Sequence, residues 1–180
     1  MKATDILMNE HQNILLVLER MGVLLRKPLE ENIVELEFIL EFVKDYSDEY
    51  HHKKEENIYF EWIGTHSPGL KSGPVSCMLS EHATFRDLTS NAGNALKVFK
   101  AEGVENAREA VISSLQTFAS LLESHIEKED TMLYQMAERL DLQINCGDEQ
   151  MLRQYEEVEK QLLPNIRRYN DYCNELRSNI

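Results

Sequence analysis

Two six-residue stretches, HHKKEE at residues 51–56 and HIEKED at residues 125–130, repeat one pattern within the chain. Both read His-x-x-Lys-Glu-acid, so in each stretch a glutamate follows a histidine by four residues. Residues four apart on an α-helix are turned by only about 40° and separated by about 6 Å, so both side chains point into the same space. Each stretch can therefore form one side of a metal site, provided that both stretches are helical.

Apolar residues at three- and four-residue steps predict that both stretches belong to long helices. The predicted helices cover about residues 4–25, 29–63, 74–101, 105–140 and 148–176. Breakers mark the connections, and Pro74 is well placed as the first residue of the third helix. Because no segment alternates with period two, we predict an all-α fold: an antiparallel up-down four-helix bundle with an additional C-terminal helix. We assign residues 1–145 to the bundle and residues 146–180 to an extension packed on the same domain.

The composition excludes several classes of function. The 180 residues carry a net charge of −13, which repels phosphate backbones and anionic lipid. The longest apolar run is the five-residue segment Ile14–Leu18, far below the roughly 20 residues that span a bilayer. The N-terminus has no signal-peptide pattern, and three widely spaced cysteines suit free thiols in a reducing compartment. We therefore expect a cytoplasmic protein with no nucleic-acid and no membrane partner.

The duplicated pattern extends upstream. Glu-His occurs at residues 10–11 and again at residues 81–82, which are 40 and 43 residues before His51 and His125. A duplicated chain with two-fold symmetry would bring four imidazoles and two carboxylates together: His11, His51, Glu55, His82, His125 and Glu129. Nitrogen and oxygen ligands without thiolate suit iron, manganese or zinc better than calcium or copper(I). Two ions fit this set best, since carboxylates from opposed helices can bridge two cations.

The first stretch offers two registers, because His52 and Glu56 have the same spacing as His51 and Glu55. Alignment with the second stretch favours His51 and Glu55, since Ile126 stands where His52 does. A wheel at 100° per residue places His52 further round, toward Lys53 and the acidic face, where it could still contact a ligand without binding the metal itself. On the same geometry, we expect the glutamates that precede His11 and His82 to be surface charges, since they sit about 100° from those histidines.

The order Glu-His, His-x-x-x-Glu, Glu-His, His-x-x-x-Glu resembles that of the hemerythrin-like, or HHE cation-binding, domains over about residues 3–142. The segments HHKKEE with NIYF, and GPVSCMLSEH, look like signatures of that family's second and third helices. The resemblance implies a centre of two non-haem iron ions. Its terminal ligands would be His11, His51, His82 and His125, and its bridges Glu55 and Glu129.

Two positions depart from the oxygen-carrying hemerythrins. Their third helix carries two histidines four residues apart, whereas here Met78 precedes His82. A thioether is too soft to replace imidazole on iron. One ion would then either have fewer ligands or take a water or another carboxylate in place of the histidine. This puts reversible oxygen carriage in doubt. Those proteins also use an aspartate five residues after the last histidine, the position of Asp130 here. Either acid could bridge, and the duplication favours Glu129.

The resemblance implies the binding, sensing or scavenging of a small diatomic ligand or peroxide, or iron handling under oxidative or nitrosative stress. One alternative is a metal-dependent oxidase or peroxidase, although no nucleophile, triad or phosphate loop indicates an enzyme. Another is a structural bundle in which metal is incidental or zinc. The charged last helix is expected to cover the bundle, with a homodimer interface as its alternative.

Overall fold

A computed structural model describes residues 2–144 and 148–178, and nearly all of these residues are helical. Five long helices follow one another: α1 (Ala3–Leu25), α2 (33–66), α3 (68–102), α4 (105–144) and α5 (Asp148–Ser178). A short 3₁₀ turn, Leu29–Glu31, links α1 to α2. The described residues contain no strand, so the all-α prediction is confirmed. The boundary at residue 145 and Cys146 lie outside the described residues.

Cross-helix contacts show how the helices run. Arg20 pairs with Glu35 near the α1–α2 link, and His11 contacts His51 further from it, so α1 and α2 are antiparallel. Antiparallel packing also holds for α3 and α4, whose chain turns at Gly103 in the left-handed conformation (φ 65°) that favours glycine. Helix α5 packs against α1 and α2.

The third helix begins earlier than predicted. Pro68, and not Pro74, occupies its first turn, and the Ser67 hydroxyl caps that turn by accepting a hydrogen bond from the Leu70 amide (3.4 Å). Pro74 lies inside a π-helical turn, Lys71–Val75. A proline interrupts the regular i→i−4 hydrogen bonding of a helix, and a local widening accommodates the missing donor.

Three more π-helical turns interrupt the helices, and all of them carry residues predicted for the metal site. They are Val43–His52 and Glu55–Tyr59 in α2, and Glu129–Leu133 in α4. Such turns are rare in proteins, and those that occur are often found at functional sites. In the wider turn, each side chain is rotated from the one before it by less than the 100° of an α-helix. A π-helical turn therefore alters which side chains face the bundle interior.

The interior has three layers. One apolar cluster contains Phe42, Tyr46 and Phe118, and a second contains Leu7, Met78 and Tyr134. The predicted histidines and glutamates fall between the two clusters in every helix of the bundle, as a buried polar layer. Helix α5 contributes to both clusters, with Ile166, Tyr169 and Cys173 in the first and Met151 and Tyr155 in the second. It therefore belongs to the same hydrophobic core as α1 to α4.

Candidate metal centre

The structure brings all six predicted side chains together inside the bundle. Each residue is at most 1% exposed. Together with His52, which was not among the six, they form two groups, in each of which one ligand atom per residue lies within 4.8 Å of the others. The first group is His11, His51, Glu55 and Glu129, and the second is His52, Glu55, His82 and His125. Because Glu55 belongs to both groups, they are adjacent and share a carboxylate.

Each central carboxylate reaches imidazoles from both halves of the duplication. Glu129 Oε2 lies 3.2 Å from His125 Nε2 and 3.4 Å from His11 Nε2. Glu55 Oε1 lies 3.5 Å from His51 Nε2, and its Oε2 lies 3.5 Å from His82 Nε2. Two carboxylates that each face two imidazoles form the arrangement that can bridge a pair of cations.

The outer nitrogen of each of these histidines contacts a further carboxylate. His51 Nδ1 lies 3.0 Å from Glu10, and His125 Nδ1 lies 2.7 Å from Glu81. The other two pairs are His11 with Asp130 and His82 with Glu56, each at 2.7 Å. An Nδ1–H that donates to a carboxylate fixes the ring orientation and leaves the Nε2 lone pair for a metal.

These contacts correct the expectation that the glutamates before His11 and His82 are surface charges. Glu10 is buried, and Lys54, itself only 1% exposed, donates a hydrogen bond to it. Glu81 is partly exposed and accepts from Lys128 in the same way. Both lie outside the two ligand groups but hold the histidines that belong to them. The repeated Glu-His pair was the signal in the sequence for this role.

Buried atoms at the centre lack hydrogen-bond partners among the described residues. They are His11 Nε2, Glu55 Oε2 and both carboxylate oxygens of Glu129. An unsatisfied buried polar group costs about 1–3 kcal/mol, and more when charged, so natural interiors seldom retain several of them together. A cation would satisfy these atoms, and the nitrogen and oxygen donors suit iron, manganese or zinc. The residues therefore fit the metal pair that the sequence resemblance implies.

The electrostatics of the centre follow from its two crowded carboxylates. Burial and the adjacent Glu129 carboxylate raise the pKa of Glu55. Burial also acts to raise the pKa of Glu129, but His125 and His11 outweigh it and hold that pKa below its usual value. Burial acts to lower the pKa of His11, but its hydrogen bond with Asp130 and the nearby negative charge of Glu129 raise it to about 10. Positive charge is thus stabilised between the two carboxylates.

Tyr134 is a site contact that the sequence did not reveal. Its hydroxyl donates a hydrogen bond to Glu55 Oε1. Its ring stacks parallel to that of His11, with 5.8 Å between centroids. Burial and the nearby carboxylates raise the pKa of Tyr134, which keeps the hydroxyl protonated as a donor.

The placement of His52 on the outer, acidic face is wrong. The residue is 3% exposed and its ring stacks on that of His82, with 3.8 Å between centroids. Its predicted position assumed 100° per residue, whereas His51 and His52 end a π-helical turn that brings neighbouring side chains toward one face. Burial and the neighbouring His82 lower the pKa of His52 to about 3, so the imidazole is neutral.

Met78 and Asp130, the positions at which this chain was compared with the oxygen carriers, have different surroundings. Met78 is 4% exposed and packs in the second apolar cluster. Asp130 contacts the outer Nδ1 of His11, while Glu129 faces the centre.

A cavity of about 760 Å³ lies between α2 and α3 and reaches the site at His52. Its apolar wall includes Val43, Phe85 and Phe118, and its rim carries Asp48 and Arg86. The cavity gives the second group a neighbouring open space.

Comparison with known proteins agrees with this geometry. A family model of the hemerythrin HHE cation-binding domain matches residues 2–137, which is more than half of the chain. No curated protein and no solved structure matches this chain. The match ends before α5, so that helix is additional to the matched region. The sequence resemblance is confirmed, and the chain belongs to the hemerythrin HHE cation-binding domain family.

Proposed function

We propose that this protein binds two non-haem iron ions and uses them to bind, sense or scavenge dioxygen, peroxide or nitric oxide. The observation that carries the proposal is the pair of buried His/Glu groups that share Glu55. The unpartnered atoms of Glu55, Glu129 and His11 support it, since without cations these groups are buried at a cost. His11, His51, His82 and His125 are the proposed terminal ligands, and Glu55 and Glu129 the proposed bridges.

A pair of iron ions supplies redox chemistry and an open coordination position for a small ligand. The protein supplies the rest of the site. The carboxylates behind the imidazoles fix each ring, and Tyr134 donates to Glu55 so that this carboxylate keeps its orientation. Apolar side chains on both sides of the polar layer exclude bulk water. The site is therefore held in place before a small ligand arrives.

The absence of thiolate in either group supports iron, with manganese or zinc as the alternatives. Iron handling under oxidative or nitrosative stress is a second use of the same site.

The proposed location is the cytoplasm, and a homodimer stays a prediction. Among residues 2–144 and 148–178, every helix falls short of the length and apolar character needed to cross a bilayer.

The test is metal content per chain in protein produced with added iron, with absorption spectra recorded anaerobically and in air. We expect about two irons and new near-ultraviolet bands after exposure to air. Glu55→Ala and Glu129→Ala should each lower the iron content, whereas Glu61→Ala, an exposed glutamate on α2, should not. Unchanged metal content and stability in the first two variants would overturn the proposal in favour of a structural bundle. Steady peroxide turnover that is lost in His82→Ala would assign the same centre to an enzyme.

A further inference from the structure

The duplication is broken at one position of the metal centre. His52 and Ile126 occupy equivalent places in the two repeated stretches, and both are 3% exposed. Ile126 packs in the first apolar cluster. His52 instead joins Glu55, His82 and His125 in the second ligand group. The first group has only two histidines, so the two halves of the centre offer different donors.

Packing alone explains His52 poorly. An isoleucine of similar size fills the equivalent place without a polar atom to bury, and burying an imidazole without full hydrogen bonding costs free energy. The one hydrogen bond described for His52 is a long one, 3.4 Å from Nδ1 to Asp48 Oδ1.

The carboxylate behind His52 is itself held in place. Arg86 donates to both oxygens of Asp48, at 2.6 to 3.0 Å, and also to Glu56 at 2.8 Å. Glu56 is the carboxylate that contacts His82 Nδ1. One guanidinium therefore supports the carboxylates behind two stacked imidazoles. This is the carboxylate-to-histidine arrangement that orients a metal ligand.

We propose that His52 is a further ligand, and that it makes the two metal positions inequivalent. The inference rests on the proposed function and deepens it. The ion beside His82 and His125 has three protein imidazoles, whereas the ion beside His11 and His51 has two. His52 thereby supplies from α2 the nitrogen that Met78 does not supply from α3. The richer nitrogen set binds a divalent transition metal more tightly, so this position is filled first and released last.

The test uses His52→Ile, which copies the residue at the equivalent position of the repeat. His66→Ala is the matched control, because His66 lies on the last turn of α2 and its Nδ1 contacts the Trp62 carbonyl oxygen rather than the site. Each protein is loaded anaerobically with iron(II). Release to a chelator is followed, and the Mössbauer spectrum is recorded with isotopically enriched iron.

In the parent protein and in His66→Ala we expect two unequal Mössbauer doublets and biphasic release. In His52→Ile the slow phase should accelerate by about tenfold or more, and the two doublets should become more alike. The thermal midpoint of the metal-free variant should match or exceed that of the parent, which separates loss of a ligand from loss of the fold.

Unchanged release and two unchanged doublets in His52→Ile would overturn the assignment while leaving the di-iron proposal intact. Failure of the parent protein itself to bind two ions would instead overturn the proposed function. The two failures are therefore distinguishable.

Discussion

Replacing Lys54 with methionine should destabilise the protein far more than the same replacement of Lys128. The two lysines are equivalent in the duplication, and each donates to the glutamate before a histidine, Lys54 to Glu10 and Lys128 to Glu81. Their environments differ because two aromatic rings lie near Lys54 Nζ, that of Tyr50 at 3.5 Å and that of Tyr155 in α5 at 5.5 Å. The side chains of the first pair are 1% and 8% exposed, and those of the second are 36% and 29% exposed.

The magnitude follows from burial. Removing one partner of a buried ion pair costs about 3–5 kcal/mol, because the other charge stays behind without its counterion. Glu10 keeps its contact with His51, so the lower end, about 3 kcal/mol, is expected for Lys54→Met. The partly exposed pair of Lys128 and Glu81 should contribute below about 1 kcal/mol. The variants should therefore differ by about 2 kcal/mol or more, or about 4–8 °C in thermal midpoint for a chain of this size.

The assay is urea unfolding of both metal-free variants, followed by circular dichroism. Glu10→Gln placed in the Lys54→Met background should recover part of the loss, since no buried charge is then left unpaired. Equal losses in the two single variants, or no recovery in the double variant, would refute the reasoning that Glu10 and Lys54 form a buried charged pair.

Three further predictions follow from the site and from α5. The metal-free protein should lose stability as pH rises from 6.5 toward 10. The pKa of His11 is raised from 6.5 to about 10, so between these values the folded state keeps a proton that the unfolded chain has lost. Thermal midpoints across pH, compared with those of His11→Gln, measure this loss. Asp130→Ala should weaken metal binding by about 10- to 100-fold with the fold retained, and a chelator titration that shows no change would contradict this. In a Cys146→Ser background, a thiol reagent should label exposed Cys77 at once and Cys173 only on unfolding, since burial raises the pKa of the Cys173 thiol to about 11.

The helices and the inward-facing residues could be predicted because their signals are local. Four-residue spacing between His51 and Glu55, and between His125 and Glu129, needs only helical geometry. The repeat then placed His11 and His82 opposite them, and the helical class of the fold is confirmed. The repeated Glu-His pairs carried information on the outer carboxylates as well, although a regular wheel assigned Glu10 to the surface.

The structure differs from the sequence-based predictions where the backbone leaves regular α-helical geometry, or where an element distant in the sequence packs on the site. The π-helical turn that ends at His52 turned this side chain inward, and no periodicity argument based on 100° per residue could show it. Lys54 also lies near Tyr155 of α5, more than 90 residues further along the chain, and no local pattern could show that contact. The hydrogen bond from Tyr134 to Glu55 likewise depends on tertiary packing.

The most direct test of the central claim is the number of metal ions per chain, measured by elemental analysis in the parent protein and in Glu55→Ala. The two groups that share Glu55 predict two ions in the parent and a clear loss in the variant, because one change removes a donor from both groups. An equal metal content in both proteins, or a parent protein that folds stably and takes up no metal, would contradict the account.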